Sequence, residues 1–213
     1  MEVHAPHHPI VTWREFLVHL ATVTVGILIA LGLEQSVEAY HHRHLAEEAR
    51  ENILSEIRDN KAELDNHLAD FAKHQQERTH GIEIVDQLLA HKHLSELQVG
   101  LGFSGPSLSS TSWSTASTVG ALVYMDYGDV KRFAGAYKLQ ELFERLQEEQ
   151  IGSVQTGVGM LRILDNGPDK VTDEELRAIK HQILGSSAGL QVMEQIARQL
   201  DSTYAKLLQK PGL

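Results

Sequence analysis

The sequence predicts an all-α protein in which a single N-terminal transmembrane helix continues into an elongated antiparallel helical bundle. Three observations predict it. Residues 16–33, FLVHLATVTVGILIALGL, form an eighteen-residue run without a formal charge. Beyond that run, apolar positions recur at spacings of three and four, the period of a helix with one buried face. No stretch alternates apolar and polar residues as a strand does, and with no cysteine the fold cannot rest on disulfides.

The apolar run comes first. A bilayer core of about 30 Å needs about 20 apolar helical residues, and Thr12 and Trp13 bring the run to that length. A cleaved signal peptide needs a basic leader and a small-x-small cleavage site. Here the leader carries one arginine and several histidines, and EQSVEAYHHRH follows the run without a clean site. The reading is therefore a retained anchor at 15–35, after a tail at 1–14. His19 is the ionisable residue inside it, one turn after Glu15 and near the membrane edge, where an i,i+4 pair is available. Thr22, Gly26 and Ala30 recur every four residues. Small residues at this spacing let membrane helices approach closely, so this face predicts a helix partner from another copy or another subunit.

The stalk follows, at 36–98. Ala46, Ala49, Ile53, Ile57, Asn60, Leu64, Leu68 and Phe71 step 3-4-4-3-4-4-3, an eleven-residue rhythm that favours a nearly straight packing seam. Ile82, Val85 and Leu89 extend it, with a kink expected near Gly81. At 1.5 Å per residue this helix stands about 80 Å beyond the bilayer. The Gly- and Ser-rich stretch 99–111, with Pro106, reads as a flexible connection.

The remaining bundle helices fall in 112–213. A short helix opens at 112–114 and runs to about Met125. Asp129 or a neighbour caps the next, from Val130 to about Leu164, with Val130, Phe133, Tyr137, Phe143, Leu146, Val154, Val158 and Leu161 as its buried stripe. Asn166, Gly167 and Pro168 stop it. In the last helix Thr172 and Glu175 form a capping box. Leu176, Ile179, Ile183, Ser186, Leu190, Met193, Ala197, Leu200, Tyr204 and Leu207 then keep a heptad seam. Residues 185–189, GSSAG, lie mid-helix with small side chains that cost helix propensity, and they read either as a notch for a bulky neighbour such as Trp113 or Phe133 or as a kink.

Charge and motifs narrow the function. Nineteen basic against 29 acidic residues leave a net charge of −10, which disfavours nucleic acid and anionic surfaces as partners. Gly100, Gly102 and Gly105 match G-x-G-x-x-G, but no strand precedes them and no helix follows directly, so the dinucleotide reading fails on context. His41, His44 and Glu48 share a helix face at i, i+3, i+7, the weak candidates for a metal site; the plainer reading is a solvated face near the headgroups. Thirteen histidines also raise the prospect of a pH response. Glu56, Asn60 and Glu63 flank the stalk seam without the E-x-x-H repeats of a di-iron bundle. Asn60 reads as a polar core residue that fixes register. Nothing combines a nucleophile, a base and a pocket. The expectation is a non-enzymatic chain without a cofactor.

Two stretches carry a resemblance. WREFLVHLATVTVGILIALGLEQ (13–35) is followed by LSEIRDN (54–60), and SWSTASTVGALVYMDYGDVKRFAGAYKLQELF (112–143) ends in a Tyr-x-x-Gln, Tyr137 to Gln140. Together they resemble an uncharacterised bacterial family with one N-terminal span bearing a GI-x-IAL signature and a helical domain of unknown function. The resemblance implies architecture and brings no catalytic residues.

The sequence thus predicts a single-pass protein of the bacterial inner membrane with its bundle in the periplasm. Arg14 on one side against Arg43 and Arg50 on the other barely discriminates by charge. The expected partners are the lipid bilayer and a protein, either a larger membrane complex that this chain serves as accessory subunit or a second copy. The rival expectation is a sensor that binds a small molecule or metal between helices, in an apolar cavity lined by Trp113, Tyr137 and the 185–189 notch.

Overall fold

The computed structural model describes residues 12–91, 99–167 and 170–209. His4, His7, His8, His93 and Pro168 lie outside them. Four helices account for most of the described chain: α1 (Trp13–Leu89), α2 (Thr111–Thr118), α3 (Tyr127–Leu161) and α4 (Asp173–Leu208), with 3-10 turns at Ala121–Tyr124 and Arg162–Asn166. No strand occurs among the described residues.

Helix α1 starts on a capping box. Thr12 accepts from the Glu15 N–H while the Glu15 carboxylate accepts from the Thr12 N–H, which satisfies two donors that a helix start leaves open. It then runs for 77 residues without a break at Gly81. It stops where Ala90 leaves helical geometry and His91 turns left-handed at φ 53°, its N–H bonded to the Leu88 carbonyl at 2.9 Å. Its first part, 12–41, is exposed throughout. It includes the helix's apolar window, long and apolar enough to cross a membrane. Burial begins at Ala46 and follows the expected rhythm through Ala49, Ile53, Ile57, Asn60, Leu64 and Phe71. Further along, the buried line is Gly81, Ile84, Val85 and Leu88. Ile82 and Leu89, expected on it, sit only partly buried at its edge.

Antiparallel neighbours build the bundle. Helix α4 runs opposite to α1, with Lys61 bound to Asp201, Arg78 to Ser186 and Lys180 to Asp86. It also runs opposite to α3, with Tyr204 bonded to Gln140 and Gln182 to Ser153. All ten predicted seam residues of α4, Leu176 to Leu207, are buried, and its Thr172–Glu175 capping box forms. Burying each such Leu or Ile side chain stabilises the fold by about 1.5–3 kcal/mol.

Helix α3 differs from expectation in its edges. Asp126, rather than Asp129, caps it by accepting from the Asp129 N–H. It gives way to a 3-10 turn after Leu161, closed by Gly167 at φ 102°. Its buried line includes Gln140, Gln150 and Gly157, whereas Val158 is exposed. Gln150 lies against Gly189 of α4, whereas Gln140 and Gly157 also face a neighbour that is not a helix.

That neighbour is the segment 99–110. Expected as a flexible connection, it is an extended strap pressed into the space between α1 and α3. Twelve extended residues reach about 40 Å, and α1 rises about 37 Å between Glu56 and Gly81, so the strap returns along α1 at close to full stretch. Val99 lies against Gly81, and Leu101 is buried against Gly157. Phe103 and Leu108 pack on the core, and Pro106 is buried. The strap with α2 takes the place of the first descending helix in an up-down-up-down arrangement.

Candidate functional site

The apolar part of α1 presents one of the two surfaces the sequence singled out. Thr22, Gly26 and Ala30 lie on one exposed line, and a Cβ added at Gly26 would meet nothing within 4 Å. The Thr22 hydroxyl donates to the Val18 carbonyl at 2.9 Å, and Thr24 does the same to Leu20 at 2.8 Å. With these hydroxyls satisfied along their own helix, the line offers a smooth surface and asks for no polar partner.

His41, His44 and Glu48 are exposed on α1 just before the bundle begins. Among the described residues, no three or more His, Asp or Glu side chains gather closely enough to hold a metal ion. Their neighbour His42 is engaged instead: its ring stacks on Tyr124 at 3.8 Å and 11°.

The residues that do converge are polar and buried. Glu56 of α1 is only 8% exposed, yet it carries a carboxylate. Three donors satisfy it: the Tyr137 hydroxyl at 2.6 Å, the Ser109 hydroxyl at 2.7 Å and the Ser112 N–H at 2.8 Å. Burial pushes its pKa up, but these hydrogen bonds outweigh burial and hold it below the usual carboxylate value. Burial and the facing Glu56 push the Tyr137 hydroxyl far above its ordinary value. One turn along, Asn60 grips the strap as a strand neighbour would. Its Nδ2 donates to the Ser109 carbonyl at 2.7 Å and its Oδ1 accepts from the Ser109 N–H at 2.8 Å. Gln140 donates to the same carbonyl at 3.1 Å and accepts from Tyr204 of α4 at 2.6 Å. Trp113 stacks on Tyr137 at 5.4 Å and closes the layer. Five segments, α1, the strap, α2, α3 and α4, thus meet in one hydrogen-bonded layer.

This layer joins the stretches that carry the family resemblance. Glu56 and Asn60 come from LSEIRDN, Ser112 and Trp113 open the second stretch, and Tyr137 and Gln140 are its Tyr-x-x-Gln. The periodicity places Asn60 in the core as a polar residue, and there it is buried and bonded to the strap. It did not flag Ser109, whose part is played by its backbone and its hydroxyl together. A carboxylate saturated by three donors and held in its charged form is a poor base. The chemistry available to this layer is fastening the strap.

A second polar layer lies farther along α1. Arg78 is fully buried; its Nε donates to Ser186 at 3.1 Å and its Nη1 to the His74 carbonyl at 2.9 Å. Burial lowers its pKa, opposed by the Glu77 charge. His74 accepts the Ser104 N–H on Nε2 at 3.1 Å, so its proton sits on Nδ1, facing Glu77 at 3.4 Å. The available sequence signal was spacing: His74, Arg78, Gly81 and Val85 continue the seam from Phe71 in steps of three and four.

The glycine notch of α4 is filled, but by neither residue expected there. The Gln150 side-chain amide lies so close to Gly189 that an added Cβ would collide with it. Trp113 and Phe133 belong to other parts of the core. Gly100 and Gly102 lie against the Glu77 side chain, and Gly105 lets the strap pass Gln147, which a Cβ would meet at 2.7 Å. Compared with known proteins, the chain matches no family model, no curated protein and no solved structure.

Proposed function

We propose that this chain is a non-enzymatic, single-span membrane protein that acts as an accessory or scaffolding subunit. It docks through Thr22, Gly26 and Ala30 onto a larger membrane complex or onto a second copy of itself. The observation that carries this reading is the exposure of residues 12–41 throughout, on a helix that continues without a break into a bundle. A helix-sized apolar surface left uncovered by its own fold calls for lipid on most faces. A line of small residues among larger ones favours a second helix. In this reading the bundle stands on the periplasmic side of a bacterial inner membrane, with the short N-terminal segment left in the cytoplasm.

The sensor reading has less support. The cavity it needs would join Trp113 and Tyr137 to the notch at 185–189. Tyr137 and Gln150, the residue that fills the notch, are about 20 Å apart along α3, and Trp113 and Tyr137 stack on each other.

The test is purification of the native protein from its own membranes in mild detergent, with mass spectrometry and native sizing. Stoichiometric recovery with one complex, or as a defined oligomer, is expected, and Gly26→Leu should release it. Recovery as a lone monomer would remove the subunit reading.

A further inference from the structure

The turn between α2 and α3 has an unusual surface. Gly120 takes the left-handed conformation at φ 76° and reverses the chain. Ala121, fully buried, and Leu122 and Met125, packed on the core, anchor the turn from beneath. This inward set leaves Val119, Val123, Tyr124 and Tyr127 facing out. Val123 and Tyr127 are each 80% exposed, more than any other large apolar side chain in the described chain, the apolar part of α1 included. The turn is therefore held firmly by its inner side while its outer side is an uncovered patch of valine and tyrosine.

Its place in the fold says what covers it. The turn sits at the end of the bundle from which the apolar part of α1 emerges, fixed there by the His42–Tyr124 stack at 3.8 Å and the Arg50–Asp129 ion pair at 2.9 Å. The uncharged run of α1 ends at Leu33, and His42 lies about 13 Å farther along the helix axis. The headgroup layer takes up about 5–8 Å of that distance. The turn is displaced to one side of α1, and membrane helices tilt by about 20° on average, with a range to about 40°. Tilt towards the turn lowers it into the headgroup layer. Tyrosine is enriched at that depth because its ring is apolar and its hydroxyl is not. Tyr40, also exposed, stands at nearly the same height on α1.

We infer that the turn around Val123 is a foot that rests in the lipid headgroup layer, with Val119, Val123, Tyr124 and Tyr127 as its contact surface. This rests on the reading of α1 as membrane-spanning. The foot sets the tilt of α1, and with it the direction in which Thr22, Gly26 and Ala30 face within the bilayer. Fixed charges near it are mixed: Arg43, Lys131 and Arg132 against Glu38, Asp126 and Asp129. The contact is accordingly an apolar one that does not require anionic lipid.

The absence of cysteine in the chain makes the test direct. Single thiols are introduced as Val123→Cys and Tyr127→Cys on the foot, Val192→Cys on the exposed side of α4, and Ile27→Cys within the apolar run. Each full-length variant is labelled with a small fluorophore and reconstituted in phosphatidylcholine vesicles carrying spin-labelled lipid. Headgroup-labelled lipid should quench both foot positions roughly twofold or more above position 192, as befits side chains at interfacial depth, and chain-labelled lipid should quench position 27. Quenching at 27 with the foot no different from 192 would overturn the foot and leave the span standing. No quenching at 27 would overturn the span and the foot together. Foot labels shielded from aqueous iodide but unquenched by lipid, in a protein that sizes as an oligomer, would assign the patch to a second copy and overturn the lipid contact. Both foot side chains are highly exposed, so their loss leaves the fold intact, checked by an unchanged helical circular dichroism signal.

Discussion

Glu56 and Tyr137, 81 positions apart, meet at 2.6 Å in the interior of the bundle. Their hydrogen bond joins α1 to α3, two parallel helices held apart over much of their length by the strap. The bond is worth more than a neutral one because its acceptor is charged. Glu56 also accepts from Ser109 of the strap and Ser112 of α2, so the loss would be felt by four segments at once.

Tyr137→Phe removes the hydroxyl and keeps the ring that stacks on Trp113. Glu56 then loses one of three donors while staying buried. We expect a loss of about 1.5–3 kcal/mol in unfolding free energy, the range for a hydrogen bond to a charged group. Urea denaturation of the bundle at neutral pH measures it. A change below a few tenths of a kcal/mol would mean that the hydroxyl is replaced by water without cost.

The acid and alkaline limits of stability follow from the same groups. Glu56 and Asp129 are both held below their ordinary values: burial raises each, but donors from Tyr137 and Ser112, and from Arg50 and Arg132, outweigh it. Their contribution is present above the unfolded values of about 4 and is lost as pH falls through the lower folded values. Tyr137 and Tyr204 are raised by burial. Their contribution is present below an unfolded value of about 10 and is lost as pH rises beyond it. The denaturation midpoint should therefore be level in the neutral range and fall on both sides. Glu56→Gln should lower the plateau and flatten the acid side.

Asn60 fastens the strap by both sides of its amide, so Asn60→Ala should free it locally. The Ser109 N–H loses its acceptor in a partly buried place, at a cost of about 1–3 kcal/mol. Hydrogen exchange resolved to Ser109 should speed up by a factor of roughly ten, equivalent to about 1.4 kcal/mol. Exchange in α4 away from Tyr204 should stay as it was. Fast exchange of Ser109 in the unaltered chain would contradict a fastened strap.

Two glycines four residues apart on α4 should respond with opposite sign. At Gly189 a Cβ would strike the Gln150 amide, whereas at Gly185 nothing lies within 4 Å. Gly185→Ala should stabilise by about 1 kcal/mol through helix propensity. Gly189→Ala gains the same propensity but must displace a buried side chain, a net loss of about 1–2 kcal/mol where overpacking dominates. Thermal melts of the two variants side by side decide it.

How much was legible varies by element, for physical reasons. Helix α4 was read residue by residue, seam and capping box alike, because one apolar stripe against two helices imposes a strict period. The first half of α1 was read for the same reason, including Asn60, the polar residue on its seam. Beyond Phe71 the reading slipped by one position, to Ile82 and Leu89 instead of Gly81 and Leu88. There the Val99 side chain of the strap and Ile183 of α4 press on α1, and their closeness favours a glycine where an open seam would take a large side chain. Val158 was misplaced on α3 for the same reason: the buried position beside it is Gly157, which admits Leu101.

Local composition by itself determined the helices, their main buried faces and the uncharged run on α1, since propensity, capping and periodicity act within a few turns. The tertiary structure decided the rest. A segment rich in glycine and serine has no period to read, and its order comes from partners far away in sequence: Asn60 for Ser109, His74 for Ser104, Gly157 for Leu101. Hydrogen bonds to a strap's backbone depend on where its atoms lie in space. Only folding brought Glu56, Ser109, Ser112, Tyr137 and Gln140 into one layer, and only folding set the turn at Val123 beside the end of the apolar helix.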